Sequence, residues 1–253
     1  MRYLILTLAL VLVRAAIAAP TGLLNDTGQT ACYDAGGNVV ACSGAADDGR
    51  YGRDAAQAKG VLYKSGAGAA AFDYTKVANN GNDLAAGVAL GGNAGDWACT
   101  RDNVTGLVWE VKTDDGGLRD QENTYTNYDD PTQAQRWNGS AYVNPTQPEI
   151  DAATNSIGYV NAVNALAGAN RLCGASDWRR PSKKELLSIV HHGRVSPAID
   201  TDYFPNTPSW DFWSGSPYAG DSNFALYVYF SSGVASYDVR GEVRRVRLVR
   251  GGA

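Results

Sequence analysis

Few residues of this chain could carry covalent or acid–base chemistry. Its two histidines, His191 and His192, are adjacent, at the end of a segment patterned as a helix, where an imidazole most simply caps the negative end of the dipole from the surface. Nucleophilic catalysis needs a base beside its nucleophile. None is offered, and no G-x-S-x-G elbow, P-loop or dinucleotide glycine motif occurs. Carboxylates do come in pairs, Asp114 with Asp115, Asp129 with Asp130 and Asp200 with Asp202, and a glycosidase needs two carboxyls flanking a sugar. Asp in a turn ordinarily caps backbone amides instead. The chain therefore reads as non-enzymatic and without a cofactor, with a glycan-acting hydrolase as the lesser alternative.

Metal ligation finds no better footing. Asn79-Asn80-Gly81-Asn82-Asp83 is rich in oxygen but lacks the spacing and closing acid of a calcium loop, and reads as a turn. The four cysteines, Cys32, Cys42, Cys99 and Cys173, have no C-x2-C spacing for zinc. They allow three disulfide pairings. We favour Cys32 with Cys42, because Ala35-Gly36-Gly37-Asn38 reads as a hairpin turn between Tyr33-Asp34 and Val39-Val40; Cys99 with Cys173 then follows.

Disulfides require an oxidising destination, and the first residues supply a route to one. Residues 1–18 have the form of a signal peptide, with Arg2, an apolar run from Leu4 to Val13 and the small-residue site Ala16-Ile17-Ala18. That run is short of the ~20 residues of a membrane span, so no membrane insertion is expected after cleavage. Removing Arg2 and Arg14 leaves 20 basic against 26 acidic side chains, a net charge near −6, which does not support bulk attraction to nucleic acid.

The elements that must position any site follow from periodicity. Residues 19–95, rich in Gly, Ala, Asn and Asp, read as a loop-rich extension of short strands that either packs on a domain spanning 96–253 or is partly mobile. That domain opens with a strand in which Leu107, Trp109 and Val111 alternate with Val108, Glu110 and Lys112. A loop-rich insertion from Thr113 to Pro148 precedes a helix from about Ser156 to Asn170, with Ile157, Val160, Val163 and Ala167 on one stripe. Ser182 and Glu185 form a capping box for a second helix, which carries Leu186, Leu187, Ile189 and Val190 inward and stops at Gly193. Strands are expected at Phe212–Ser214, Phe224–Phe230, Gly233–Tyr237 and Val243–Val249. The order is that of an α+β fold.

Five blocks stand out: T-G-L-V-W-E-V-K from Thr105, G-A-S-D-W-R-R-P-S-K-K-E-L-L from Gly174, A-I-D-T-D-Y-F-P-N-T from Ala198, F-W-S-G-S from Phe212 and V-R-L-V-R-G-G from Val246. In this order they resemble the C-terminal domain of the Legionella collagen-like adhesins, a family formerly carried as a domain of unknown function. The resemblance is dense from Asp96 onward. It implies a C-type-lectin-like fold, two helices packed on antiparallel strands, used for extracellular binding, in some members of sulfated glycans. It also implies kinship with variable proteins of diversity-generating retroelements, and between Ser216 and Arg244 only Glu242 lies outside the residues such mutagenesis yields. Some relatives carry a Cys where this chain has Leu248. The calcium-dependent sugar motifs of lectins are approached only by Gln147-Pro148-Glu149 and Trp137-Asn138-Gly139, in the wrong context.

Trp109, Trp178 and Trp213 are expected in the core. The candidate ligand-contacting set is Trp210, Asp211, Phe212, Tyr218, Asp221, Ser222, Phe224, Tyr229, Ser231, Ser232, Tyr237, Asp238, Arg240 and Arg244, aromatic rings interleaved with Ser, Asn, Asp and Gly as in adaptable binding surfaces. A competing basic route uses Arg240, Arg244, Arg245, Arg247 and Arg250 to hold sulfate groups. The expected partner is a protein or a cell-surface glycan, outside the cytoplasm in the periplasm, the medium or at the bacterial surface, with the oligomeric state open. A structural subunit of a cell-surface assembly is the alternative.

Overall fold

The computed structural model describes residues 25–42 and 50–251; the expected signal peptide lies outside them. In chain order the elements are β1 (Cys32–Tyr33), β2 (Val39–Val40), α1 (Gly52–Ala58), β3 (Tyr74–Ala78), β4 (Asp83–Leu84), β5 (Trp97–Asp102), β6 (Val108–Glu110), β7 (Arg136–Trp137), β8 (Tyr142–Val143), α2 (Gln147–Ile150), α3 (Ser156–Asn164), α4 (Lys183–Ser188), β9 (Asp211–Pro217), β10 (Phe224–Tyr229), β11 (Val234–Val239) and β12 (Val249–Arg250). Few helices and several antiparallel sheets make an α+β architecture.

Two sheets carry the molecule. One is five-stranded in the order β12-β6-β5-β3-β4, the other three-stranded in the order β11-β10-β9. The stretch before residue 96 does more than lean on the domain that follows. β3 pairs with β5 from Tyr74↔Asp102 to Ala78↔Trp97, and Phe72, Tyr74 and Val77 are buried in the two apolar clusters. α1 and α2 were not anticipated. The second sits where Gln147-Pro148-Glu149 raised a lectin echo: Thr146 caps it, with the Glu149 carboxylate returning to the Thr146 amide, so Glu149 is spent on the helix.

Local chemistry explains the elements that were foreseen. Asp34 accepts hydrogen bonds from the amides of Gly36 and Asn38, both at 2.9 Å, which turns β1 back on β2 and brings Cys32 and Cys42 into their disulfide. The second disulfide joins Cys99 of β5 to Cys173, so both expected pairings form. The capping box of α4 is complete: the Glu185 amide donates to Ser182 Oγ at 3.2 Å and the Ser182 amide to Glu185 Oε2 at 2.7 Å.

Three expectations need correction. α4 ends at Ser188, well before Gly193: the Ile189 and Val190 amides close a last tight turn on Leu186 and Leu187, and those that follow find tertiary acceptors, His191 donating to the Ala198 carbonyl and His192 to that of Thr27. His191 is consequently buried against Phe72, not a surface cap. α3 stops at Asn164, whose side-chain amide clamps the backbone of Trp178 at 2.8 and 2.9 Å; it buries Tyr159 and Val163, not a stripe through Ile157 and Ala167. Residues 243–249 do not form a continuous strand. Apart from the pairing of β12 with β6, they make single bridges, Tyr125↔Arg244, Phe212↔Arg245 and Arg179↔Val249, because their arginines turn inward.

The destination of one of them is an ionic layer behind β6. Trp109 and Val111 are buried as the alternation required, but so are Glu110 and Lys112. Lys112 donates to Glu110 Oε1 at 3.3 Å and to the Tyr159 hydroxyl at 3.2 Å. The Tyr159 hydroxyl in turn donates to Glu110. Glu110 Oε2 takes the Leu248 amide at 2.9 Å, and Arg247 donates to the Glu110 carbonyl and Thr207 Oγ1, both at 2.6 Å. Burial presses Lys112 below its ordinary range and brings Arg247 down to about 10.

Candidate functional site

The three-stranded sheet presents most of the candidate surface, and register divides it. β10 and β11 pair without a shift, Phe224↔Val239 through Tyr229↔Val234. Partners across a ladder share a face. One face therefore carries Phe224, Leu226 and Val228 with Val239, Tyr237 and Ala235; the other carries Ala225, Tyr227 and Tyr229 with Asp238, Ser236 and Val234.

On the first face α4 covers the middle of the sheet, where Phe212 and Val228 join the buried cluster around Leu186 and Ile189. At the strand ends three rings remain outside both clusters. Tyr218 and Tyr237 stack with centroids 4.1 Å apart and planes 14° from parallel, and Phe224 meets Tyr237 edge-on at 5.7 Å. Tyr237 is 47% exposed. Asp221 lies beside them, exposed, its Oδ1 taking the Asn223 amide at 2.9 Å.

On the opposite face Arg244 lies across the sheet. Its guanidinium is 4.3 Å from the centroid of Tyr227 and 4.9 Å from that of Trp213, and it pairs with Asp211 at 3.6 Å and with Asp238. Burial pushes the Asp211 carboxyl up, Arg244 pulls it down, and Asp238 adds to the rise. Beyond this arginine Trp210 (58% exposed), Tyr229 and Val234 face solvent. Ser231 and Ser232 occupy the β10–β11 turn, where Ser231 lies beside Ser196.

Two candidate residues belong elsewhere. Phe212 is fully buried in the core, packed edge-on against Phe230 at 5.2 Å. Arg240 is buried, donating to the Ser222 carbonyl at 2.9 Å and the Asn127 carbonyl at 2.8 Å and pairing with Asp129. This second finding generalises. Arg245 pairs with Glu122, Arg250 with Asp177, and Arg247 is interior, so the five arginines proposed to grip sulfate are already engaged or enclosed. Local spacing could not show this, because most of their partners lie far away in sequence: Asp129 for Arg240, Glu122 for Arg245, Asp177 for Arg250, and the Glu110 carbonyl with Thr207 for Arg247.

The paired carboxylates act as turn builders and ion partners. Asp115 Oδ1 takes the Gly117 amide at 2.8 Å, Asp130 Oδ1 the Thr132 amide at 2.8 Å, and Asp129 neutralises Arg240. Asp200 is buried and receives the Ala69 amide at 2.6 Å. Among the described residues no group of three or more His, Cys, Asp or Glu could hold a metal ion, and no helix is long and apolar enough to cross a membrane.

Comparison with known proteins agrees with the blocks that build this sheet. No curated protein and no solved structure matches the chain. Residues 98–250, from β5 to the end of β12, match the Lcl C-terminal domain, so the chain belongs to that family.

Proposed function

We propose that this is a secreted, non-enzymatic, adhesin-like protein that holds a protein or surface-glycan ligand against the end of its three-stranded sheet. One observation carries the reading: Tyr218, Phe224 and Tyr237 pack on each other outside both apolar clusters. Rings left at the surface and fixed in orientation give contact area at little entropic cost. The strands that bear them are backed by apolar clusters on both faces, which supports a rigid display. Helices with antiparallel sheets are compatible with the C-type-lectin-like scaffold that the family resemblance implies, and side chains that project from β10 and β11 into solvent are those that a diversified surface would vary.

The test is Tyr218→Ser with Tyr237→Ser. The expected outcome is a fold intact by circular dichroism, with a stability loss of about 0.5–1.5 kcal/mol from the lost stacking. Capture of the partner by the purified protein, from a glycan array or from cell-surface extracts, should fall at least tenfold, since a few aromatic anchors carry most of an interface's free energy. An unfolded variant would place these rings in the core and end the proposal. The structural-subunit reading is favoured by the edge of β11, which among the described residues pairs only with β10; it predicts a stable oligomer in light scattering.

A further inference from the structure

A cleft of about 490 Å³ opens on the five-stranded sheet, between segment 67–69, Lys76 of β3, Ala86 and the pair Asp202-Tyr203. Asp200 holds its walls together. One carboxylate oxygen takes the Ala69 amide at 2.6 Å and the other the Asp202 amide at 3.2 Å. The Tyr203 amide donates to the Asp200 carbonyl, and Thr100 Oγ1 donates to the Tyr203 carbonyl at 2.6 Å. The cleft is therefore formed in advance of any ligand, and one wall comes from residues before the family match.

Its polar groups are incompletely used. Lys76 is 9% exposed and its ammonium rests 3.7 Å from the centroid of Trp97, donating to the Val88 carbonyl at 3.0 Å. An ammonium has three donors, so two are left. The Tyr203 ring is buried, while its hydroxyl keeps contact with solvent and has no hydrogen-bond partner among the described residues. The Asp202 carboxylate, at the exposed rim, likewise has no hydrogen bond or ion pair there. All three line the cleft with hydrogen-bonding capacity that the described residues leave unused, so together they suit a ligand that both donates and accepts.

Charge narrows the class. Asp73, Asp200 and Asp202 surround Tyr203 closely enough to act on its phenol, which disfavours an anion, and Lys76 inside the cleft disfavours a cation. Several hydroxyls at fixed spacing on an uncharged ring meet both demands, and the small walls of Ala67, Gly68 and Ala86 leave room for one. We propose that this cleft binds an uncharged saccharide unit, with Lys76 and Tyr203 donating to its oxygens and Asp202 accepting from its hydroxyls. The site is separate from the ring cluster at the end of the other sheet and stands or falls without it.

Calorimetry and ligand-observed NMR on the purified protein with glucose, galactose, mannose and N-acetylglucosamine test the assignment, with glycine and a heparin disaccharide as the zwitterionic and sulfated alternatives. At least one neutral sugar should bind. Asp202→Asn, at an exposed position, should weaken it roughly tenfold or more through loss of a charge-assisted hydrogen bond. Ala86→Trp should abolish binding by filling the mouth, and Tyr218→Ser with Tyr237→Ser should leave it unchanged. The proposal is overturned if no neutral sugar binds at tens of millimolar, if binding survives both cleft variants, or if glycine or the sulfated sugar is preferred.

Discussion

Glu110, Lys112 and Arg247 show what residue-level reading could and could not recover. Period two in the strand was correct, and Trp109 and Val111 are buried. The alternation alone does not say what becomes of Glu110 and Lys112; nothing local announces that Tyr159, Leu248 and Thr207 arrive to satisfy this layer. Removing one partner of such a layer leaves the others buried and uncompensated. Glu110→Ala should therefore destabilise the protein by about 3–5 kcal/mol, read as a denaturant midpoint, whereas Ser182→Ala should lose only the α4 cap, about 0.5–2 kcal/mol. His191 adds a pH term. Burial first, then Arg194, holds its pKa below 6.5, with Asp200 opposing, and its Nδ1 accepts the Gly193 amide at 3.1 Å. The unfolded chain thus takes up this proton at higher pH than the folded one. Stability is full above 6.5 and falls as pH drops through it, until folded His191 itself titrates. The difference in unfolding free energy between wild type and His191→Gln, measured at pH 8 and pH 5, should shrink at pH 5; a constant difference would mean that His191 protonates freely in the fold.

At the level of elements, the sequence was most legible where the chain's own neighbours dictate structure. The α4 capping box, the β1–β2 hairpin with its disulfide, and β10 and β11 are all present. It was least legible where distant segments compete for backbone groups. α4 is short because Ala198 and Thr27 take the amides of His191 and His192, and residues 243–249 are irregular because Arg244, Arg245 and Arg247 turn toward partners up to 137 positions away. The same non-locality hid the part played by residues 25–95. β3 occupies the outer edge of β5, and Phe72 and Tyr74 sit in the main apolar cluster. A protein beginning at residue 98 would expose that edge and lose those rings, and should aggregate or lack sharp near-ultraviolet dichroism. Recovery of a monomeric, cooperatively melting fragment would show the family segment to be self-sufficient.

The whole molecule is tied by closures of very different reach. Cys99–Cys173 spans 74 positions and joins the five-stranded sheet to the segment before α4, while Cys32–Cys42 spans 10. In the chain-entropy account they contribute about 4 and about 3 kcal/mol respectively. The difference in place matters more. Cys99 and Cys173 are in the buried cluster that also holds Trp178 and Trp213, whereas the short hairpin is largely exposed. Replacing both Cys99 and Cys173 by Ala should lower the melting temperature well beyond the effect of the Cys32 and Cys42 double variant; equal losses would mean that the hairpin anchors the N-terminal region more firmly than its exposure implies. The candidate binding surface was legible as composition but not as geometry, because only pairing across β10 and β11 separates the Tyr237 face from the Arg244 face.

The stack of Tyr218 on Tyr237, 4.1 Å between centroids, also gives this protein an optical property. Two phenol chromophores that close and nearly parallel couple their electronic transitions, so their contribution to circular dichroism depends on the angle between them. A ligand that slides over the outer ring, or parts the pair, alters that signal while the backbone stays still. The ring cluster would then report its own occupancy in unlabelled protein.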